Sequence, residues 1–410
     1  TASPISGKVR FIKNAGDVLQ GRKPLSELGL EAPDDRTFVV RLEHPVPYLL
    51  QSTAGTAMFP ARRDVVEKFG DAYGTDADKI VGCGPFNLAD WVHNSSLAFV
   101  KNPLYWDADN VKIDKVRMVM INDTDMALAA FKDGKVDYNH TIPSLMLPHL
   151  LENGEARVRN TLGTYFYAFN TTRRPFDDAR VRRAFALAVD RTAIVEKVTM
   201  ARQKPANGFI PYGIPGANPN DLTVDFRAED KAEYLPERAD VEQAKKLLAE
   251  AGYPDGKGFP KVAYKYNLNP INKAIAEALQ AMWKQNLGVE VELANEEWKV
   301  FINTRNKKDF DIARHGYLVD FFDAGSLLEL WVTDGPMNVA NYSNPEYDAC
   351  MKEARTEMDR SKRMEDMHRA EAILMRDLPV LPLYFYSTPY MQSARVKGIY
   401  ISPRSWVLFR

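Results

Sequence analysis

Between Trp298 and Asp320 the chain gathers Arg305, Arg314, His315, Tyr317 and Asp320, with Gly316 interleaved among them. Asp320 follows the apolar pair Leu318-Val319 and precedes Phe321-Phe322, so it sits among apolar groups. A carboxylate there needs a cationic partner, because an unpaired buried charge is very costly. Two partners fit. One is a ligand bound outside the carboxyl end of a strand, where open α/β sheets bind their ligands. The other is Arg314 or Arg305 in a structural ion pair, which composition alone favours. Trp298, Tyr317 and Trp331 read as core or surface-packing residues before they read as ligand platforms.

Motifs of enzymatic chemistry are absent. There is no Gly-x-x-x-x-Gly-Lys-Ser/Thr loop, no Gly-x-Ser-x-Gly elbow and no His-Glu-x-x-His. The carboxylate pairs Asp177/Asp178 and Glu296/Glu297 stand at helix starts and read as caps. Six histidines (His44, His93, His140, His149, His315, His368) include no pair spaced for a helical metal site, so no metal is expected. Cys83 and Cys350 allow at most one disulfide and carry no zinc spacing.

The elements that must position these side chains follow from periodicity. Residues 262–268 predict a strand and 271–287 an amphipathic helix stopped by Gly288. Val289, Val291 and Leu293 then alternate with Glu290 and Glu292 as a half-buried strand. Strand, crossover helix and strand in this order predict a right-handed βαβ unit with parallel strands. A short helix over 296–304 leads to a strand over 310–317, from whose carboxyl end Asp320 follows. Helices over 345–358 and 361–377 precede a buried strand at 380–386. Upstream, a helix starts at Asp177-Asp178, and a second is capped by Asp240 and closed by Gly252. Residues 202–237, rich in Pro, Gly, Asn and Asp, predict a long ordered loop. The first third is β-rich, with strands at 37–42, 86–88, 97–100 and 116–121 and a helix over 123–131.

At 410 residues the chain exceeds what one core organises, which predicts about two or three domains. Its 54 Lys plus Arg balance 55 Asp plus Glu, leaving no global field to attract nucleic acid or an anionic membrane. No apolar run approaches the roughly 18 residues of a membrane span. The fold class is α/β with several domains.

Four stretches resemble the signature blocks of the family-five extracellular solute-binding proteins of peptide-importing ABC transporters. They are Val81-Gly82-Cys83-Gly84-Pro85-Phe86 with Trp91; Lys101-Asn102-Pro103-Leu104-Tyr105-Trp106-Asp107; Phe169-Asn170 with the run from Pro175 through Asp190-Arg191; and Ala244 through Tyr253. A further stretch, Glu297-Trp298-Lys299 to Asp320, resembles the oligopeptide-binding branch. The resemblance implies a two-lobed periplasmic binding protein of type II, cluster C-like, with an additional small domain. It divides the chain into the small domain, 1–62, a first lobe, 63–162 plus 388–410, and a second lobe, 163–387.

The implied function is a non-enzymatic, monomeric receptor that captures short peptides between its lobes and delivers them to an inner-membrane ABC permease. Its implied place is the periplasm or the outer face of the cell membrane, and no cofactor or nucleic acid is implied. The alternatives are a receptor for murein peptides, a nickel complex or another small solute, and, from a different class, a secreted hydrolase. Position by position, Asp320 would pair with the peptide's α-ammonium group, while Gly316 and Leu318 would offer backbone hydrogen bonds. Arg305 and Arg314 would supply positive charge near its carboxyl end. Trp298, Tyr317, Asn267, Phe166 and Tyr386 would line the cleft. Asn272 stands where relatives can carry a histidine, and Gly163 and Leu318 stand where some carry a disulfide. The chain opens within the small domain, so a further N-terminal segment is expected, and residues 1–60 should form an incomplete domain with an unpaired edge.

Overall fold

The computed structural model describes residues 9–221 and 223–408. Contacts divide the chain into two compact units. One joins the residues up to Ala57 to Thr161–Tyr386, and the other joins Met58–Asn160 to the residues from Ser387 onward. Two of the cuts fall inside long strands, Arg157–Phe169 and Val380–Gln392.

The first unit is built on a mixed sheet. Its strands run in the spatial order Val291–Glu296, Val262–Asn267, Ile312–Leu318, Arg157–Phe169 and Val380–Gln392. The expected βαβ unit is present: Val291 to Glu296 pair in parallel with Val262 to Asn267, joined by the helix Pro270–Leu287. That helix starts where the Asn269 side chain accepts from the Ile271 and Asn272 N–H groups, and ends at Gly288, whose φ of 70° suits a residue without Cβ. Its inward face carries Ile275, Leu279, Trp283 and Leu287, all fully buried, each worth about 1.5–3 kcal/mol of apolar burial. The strand Ile312–Leu318 lies at the junction, antiparallel to Arg157–Phe169 from Ile312↔Phe169 to Leu318↔Gly163.

Other expected elements sit where periodicity put them, with shifted ends. Asp178 caps Ala179–Leu187, Asp240 caps Val241–Glu250 and Glu297 caps Trp298–Asn306, each carboxylate accepting a main-chain N–H. Capping is thus the observed role of Asp178 and Glu297. Glu296 lies on a strand instead, 3.6 Å from Lys265. Residues 202–237 are not loop throughout. They contain a short strand, Lys204–Pro205, and a helix, Phe226–Asp230, whose five residues are too few to show a period. Phe226 anchors that helix in the core, and Arg227 forms a buried pair with Glu371 at 3.0 Å. Both cysteines are free.

Residues 9–57 hold the hairpin Leu30–Asp34 and Thr37–Val40 and a small cluster of Phe11, Ile12, Ala15 and Val46. Residues 1–8, part of the expected incomplete domain, lie outside the described residues, as do the last two of 388–410. The second unit contains an antiparallel three-stranded sheet of Phe86–Val92, Ser96–Lys101 and Lys115–Val119. It also contains the helix Thr124–Lys132 and a pairing of Tyr138 and Asn139 with Gln392 and Met391.

Candidate functional site

All eleven sequence-predicted site residues belong to the first unit. They group around the carboxyl end of Ile312–Leu318, called here the anchor strand. Its partner on one side, Arg157–Phe169, accompanies it along its full length. On the other side the parallel strand pairs only with Ile312 and Ala313. Among the described residues, the edge from Arg314 to Leu318 therefore carries no strand on that side. An open strand edge of this kind offers main-chain hydrogen bonds to another extended chain.

Register decides which side chains share a face. Arg314 lies opposite Tyr167 and Gly316 opposite Tyr165, while His315 lies opposite Phe166 on the reverse face. Phe166 is accordingly no lining residue. It is fully buried, stacked on His315 at 4.8 Å and edge-on to Phe209 and Trp331. The assignment fails because neighbouring strand residues face opposite ways; the neighbour Tyr165, also buried, is the one that shares a face with Arg314. Arg314 stands 4.8 Å above the Tyr165 ring, and Tyr165 stacks in turn on Tyr384 at 4.8 Å. Tyr165 and Tyr384, which pack beneath Arg314, were not singled out in the sequence. The alternation Tyr165-Phe166-Tyr167 and Tyr384-Phe385-Tyr386 was the available signal.

The two guanidiniums have no counter-ion among the described residues. Neither Arg305 nor Arg314 makes an ion pair among the described residues, and the Nε of each is buried without a hydrogen-bond partner. The structural alternative, an ion pair with Asp320, is not what forms. Arg314 donates weakly to the Tyr386 hydroxyl at 3.4 Å. Burial opposes the Arg314 charge, but the Tyr165 and Tyr386 hydroxyls more than offset it and the pKa is raised. Burial, then Arg314, pushes the Arg305 pKa down to about 10. Burial likewise pushes the Tyr386 phenol up to about 12, so it stays neutral. Arg305 reaches the site from Trp298–Asn306, where Trp298, Phe301 and Arg305 follow a helical i, i+3, i+7 stripe. Trp298 is half exposed, and the Arg305 guanidinium lies 5.8 Å from the Phe301 ring. Two cations brought together without an acid can receive an anion, and a carboxylate matches the planar fork of a guanidinium.

Asp320 stands at the opposite end. Its carboxylate accepts from the Tyr317 hydroxyl at 2.8 Å, and its N–H donates to Ser326 Oγ at 2.7 Å. Gly316 is needed because a Cβ would overlap the Tyr386 hydroxyl. Its N–H already donates to His315 Nδ1 at 2.8 Å. That bond requires the unprotonated ring nitrogen, in keeping with burial holding the His315 pKa well below its usual value. Leu318 is exposed and lies beside Gly163, where a Cβ would overlap the Tyr317 carbonyl. Asn267 and Asn272 join side chain to side chain at 3.0 Å, and Asn272 Oδ1 also accepts from the Tyr165 hydroxyl at 2.9 Å. A chain of contacts thus runs from Asn267 to Arg314.

Comparison with known proteins gives the family of the chain. Residues 6–339 match the family described as bacterial extracellular solute-binding proteins, family 5 Middle. The chain is 35% identical to the oligopeptide-binding protein OppA of Bacillus subtilis, over 98% of this chain and 73% of that protein. Among solved structures, Haemophilus influenzae OppA in complex with RPPGFSPFR superposes with a TM-score of 0.82 at 32% identity, covering 98% of this chain and 77% of that one. The murein tripeptide-binding protein MppA of Escherichia coli gives 0.83 at 32%, covering 99% and 78%. The chain belongs to family 5 of the bacterial extracellular solute-binding proteins.

Proposed function

We propose that this chain is the substrate-binding receptor of an ABC importer for short peptides, handing them to a membrane permease from the periplasm or the outer face of the cell membrane. The observation that carries the reading is the open edge of the anchor strand, flanked by a carboxylate at one end and, at the other, two guanidiniums without a counter-ion among the described residues. A peptide has the matching pattern: an ammonium group, a row of amides and a carboxylate. Main-chain recognition of this kind tolerates varied side chains. Along an extended strand, Arg314 and Asp320 are at most about 20 Å apart. About six extended residues cover that distance, and fewer once side-chain reach is subtracted. Asp320 takes the α-ammonium group, Arg314 and Arg305 take the carboxylate, and Leu318 and the Gly316 carbonyl supply main-chain bonds. Tyr386, Tyr317, Trp298, Asn267 and Asn272 border the ligand.

The peptide-binding names of the relatives support this reading, as does the absence, among the described residues, of any helix long and apolar enough to cross a membrane. The separate cluster of Phe11, Ile12, Ala15 and Val46 supports treating 1–62 as a small domain beside lobes 63–162 plus 388–410 and 163–387. Binding involves no chemical conversion. The test is calorimetry with a tripeptide, its N-acetylated form and its C-terminal amide, followed by mass spectrometry of the recovered ligand. Free peptide should bind best and return intact. Equal affinity for all three, or recovery of cleaved peptide, contradicts the assignment.

A further inference from the structure

The loop after the anchor strand is tied down unevenly. Val319 N–H donates to the Leu162 carbonyl at 3.0 Å, and Asp320 N–H to Ser326 Oγ. Three residues on, the Asp323 carboxylate takes both arms of the Arg363 guanidinium, at 2.5 and 2.8 Å, and the Gly325 N–H as well. From Asp323 to Leu328 every residue is buried. Phe321 and Phe322, next to Asp320, are only half buried, and of the two only Phe322 packs against the main core.

Phe321 is held from elsewhere. Its ring stacks on Tyr48, with centroids 4.4 Å apart and planes 5° from parallel. Tyr48 belongs to the 9–57 segment, where it immediately precedes the helix Leu49–Thr53 and packs against Phe11, Ile12, Ala15 and Val46. The Arg363 guanidinium lies 5.5 Å from the Tyr48 ring centroid. Arg363 therefore grips the loop twice, directly through Asp323 and through Tyr48 onto Phe321. A binding group keeps its aim only when the residues behind it are locked.

We propose that Tyr48 is a positioning residue: by stacking on Phe321 it sets the direction of the Asp320 carboxylate, so the N-terminal segment tunes recognition of the ligand's ammonium group. The inference rests on the reading of Asp320 as the partner of that group. An aromatic stack of this kind limits the expected effect to about three- to tenfold.

The test compares trialanine with N-acetyl-trialanine by calorimetry, on the unmodified protein and on Tyr48→Ala, Tyr48→Leu and Tyr48→Phe. The unmodified protein should prefer the free amine. Tyr48→Ala should lose about three- to tenfold of that preference, and Tyr48→Leu, which refills the space without a flat ring, should lose it too. Tyr48→Phe, which keeps the ring, should rescue it. Should Tyr48→Ala not fold, the Leu and Phe variants decide. Folded Ala or Leu variants with the original preference overturn the role of Tyr48 and leave the Asp320 reading standing, as does a loss equal for both peptides. An unmodified protein without any preference overturns the Asp320 reading, and the role of Tyr48 with it.

Discussion

Replacing Arg305 by methionine keeps most of the unbranched stem and removes the charge, which separates a cation kept for the ligand from one kept for the fold. Burial and then Arg314 lower the Arg305 pKa to about 10. At about 1.4 kcal/mol for each tenfold change in proton affinity, this corresponds to about 3 kcal/mol against the folded state at neutral pH. The unfolded chain holds this proton more tightly than the folded one. The penalty is therefore complete below about pH 10 and is relieved only as the pH rises beyond it. Methionine gives up the Phe301 contact, worth about 0.5–1 kcal/mol where part exposed. Arg305→Met should thus stabilise the peptide-free protein by about 2 kcal/mol. With peptide the sign reverses, since losing a hydrogen bond to a charged group costs about 1.5–3 kcal/mol, a drop of about 10- to 100-fold in affinity. An amidated peptide should be spared. Urea unfolding of protein freed of peptide by refolding gives the first number, and calorimetry with acid and amide forms gives the second. A variant less stable than the original without peptide, or one that loses acid and amide equally, refutes the reasoning.

Two further predictions address the anchor strand. Gly316→Ala should cost about 1–3 kcal/mol by pushing the Tyr386 hydroxyl aside; adding Tyr386→Phe should recover most of this in thermal unfolding, and no recovery would locate the strain elsewhere. His315 is buried, and burial followed by Arg305 depresses its folded pKa below 6.5, so stability present above pH 6.5 should fall by up to about 1.4 kcal/mol per pH unit below it. His315→Gln should flatten that slope in acid unfolding, and an unchanged slope would assign it to other groups.

Much of this architecture was legible in the chain because it is local. The βαβ unit showed in the alternation of Val289, Val291 and Leu293 and in the stop at Gly288, and the helix starts showed in Asp178, Asp240 and Glu297. Arg305, Arg314 and Asp320 were found through type and resemblance. Facts set by long-range register were hidden. Nothing within Tyr165-Phe166-Tyr167 says which residue faces Arg314 until the strand is laid antiparallel on Ile312–Leu318. Nor could spacing announce Tyr48 beneath Phe321, since 273 residues separate them. The helix Phe226–Asp230 escaped for the opposite reason, being shorter than one amphipathic repeat.

The chain's other arginines sharpen the argument for a ligand. Arg182 spends its guanidinium on the carbonyls of Phe176, Asp377 and Leu378, and Arg191 on those of Ala186 and Pro382. Arg227 and Arg363 are nearly as inaccessible, and each closes on a buried carboxylate, Glu371 and Asp323. Carbonyls or carboxylates therefore meet a buried guanidinium wherever its work is structural. That is what desolvation demands, because an unmatched interior cation costs several kcal/mol. Among the described residues Arg305 and Arg314 have neither, Arg314 meeting only the Tyr386 hydroxyl, although both are largely withdrawn from water and one lowers the pKa of the other. Packing alone gives no reason to keep two such cations side by side, whereas an anion arriving with the ligand does. Their lack of counter-ions among the described residues supports the proposal that they face the ligand, on grounds independent of any relative.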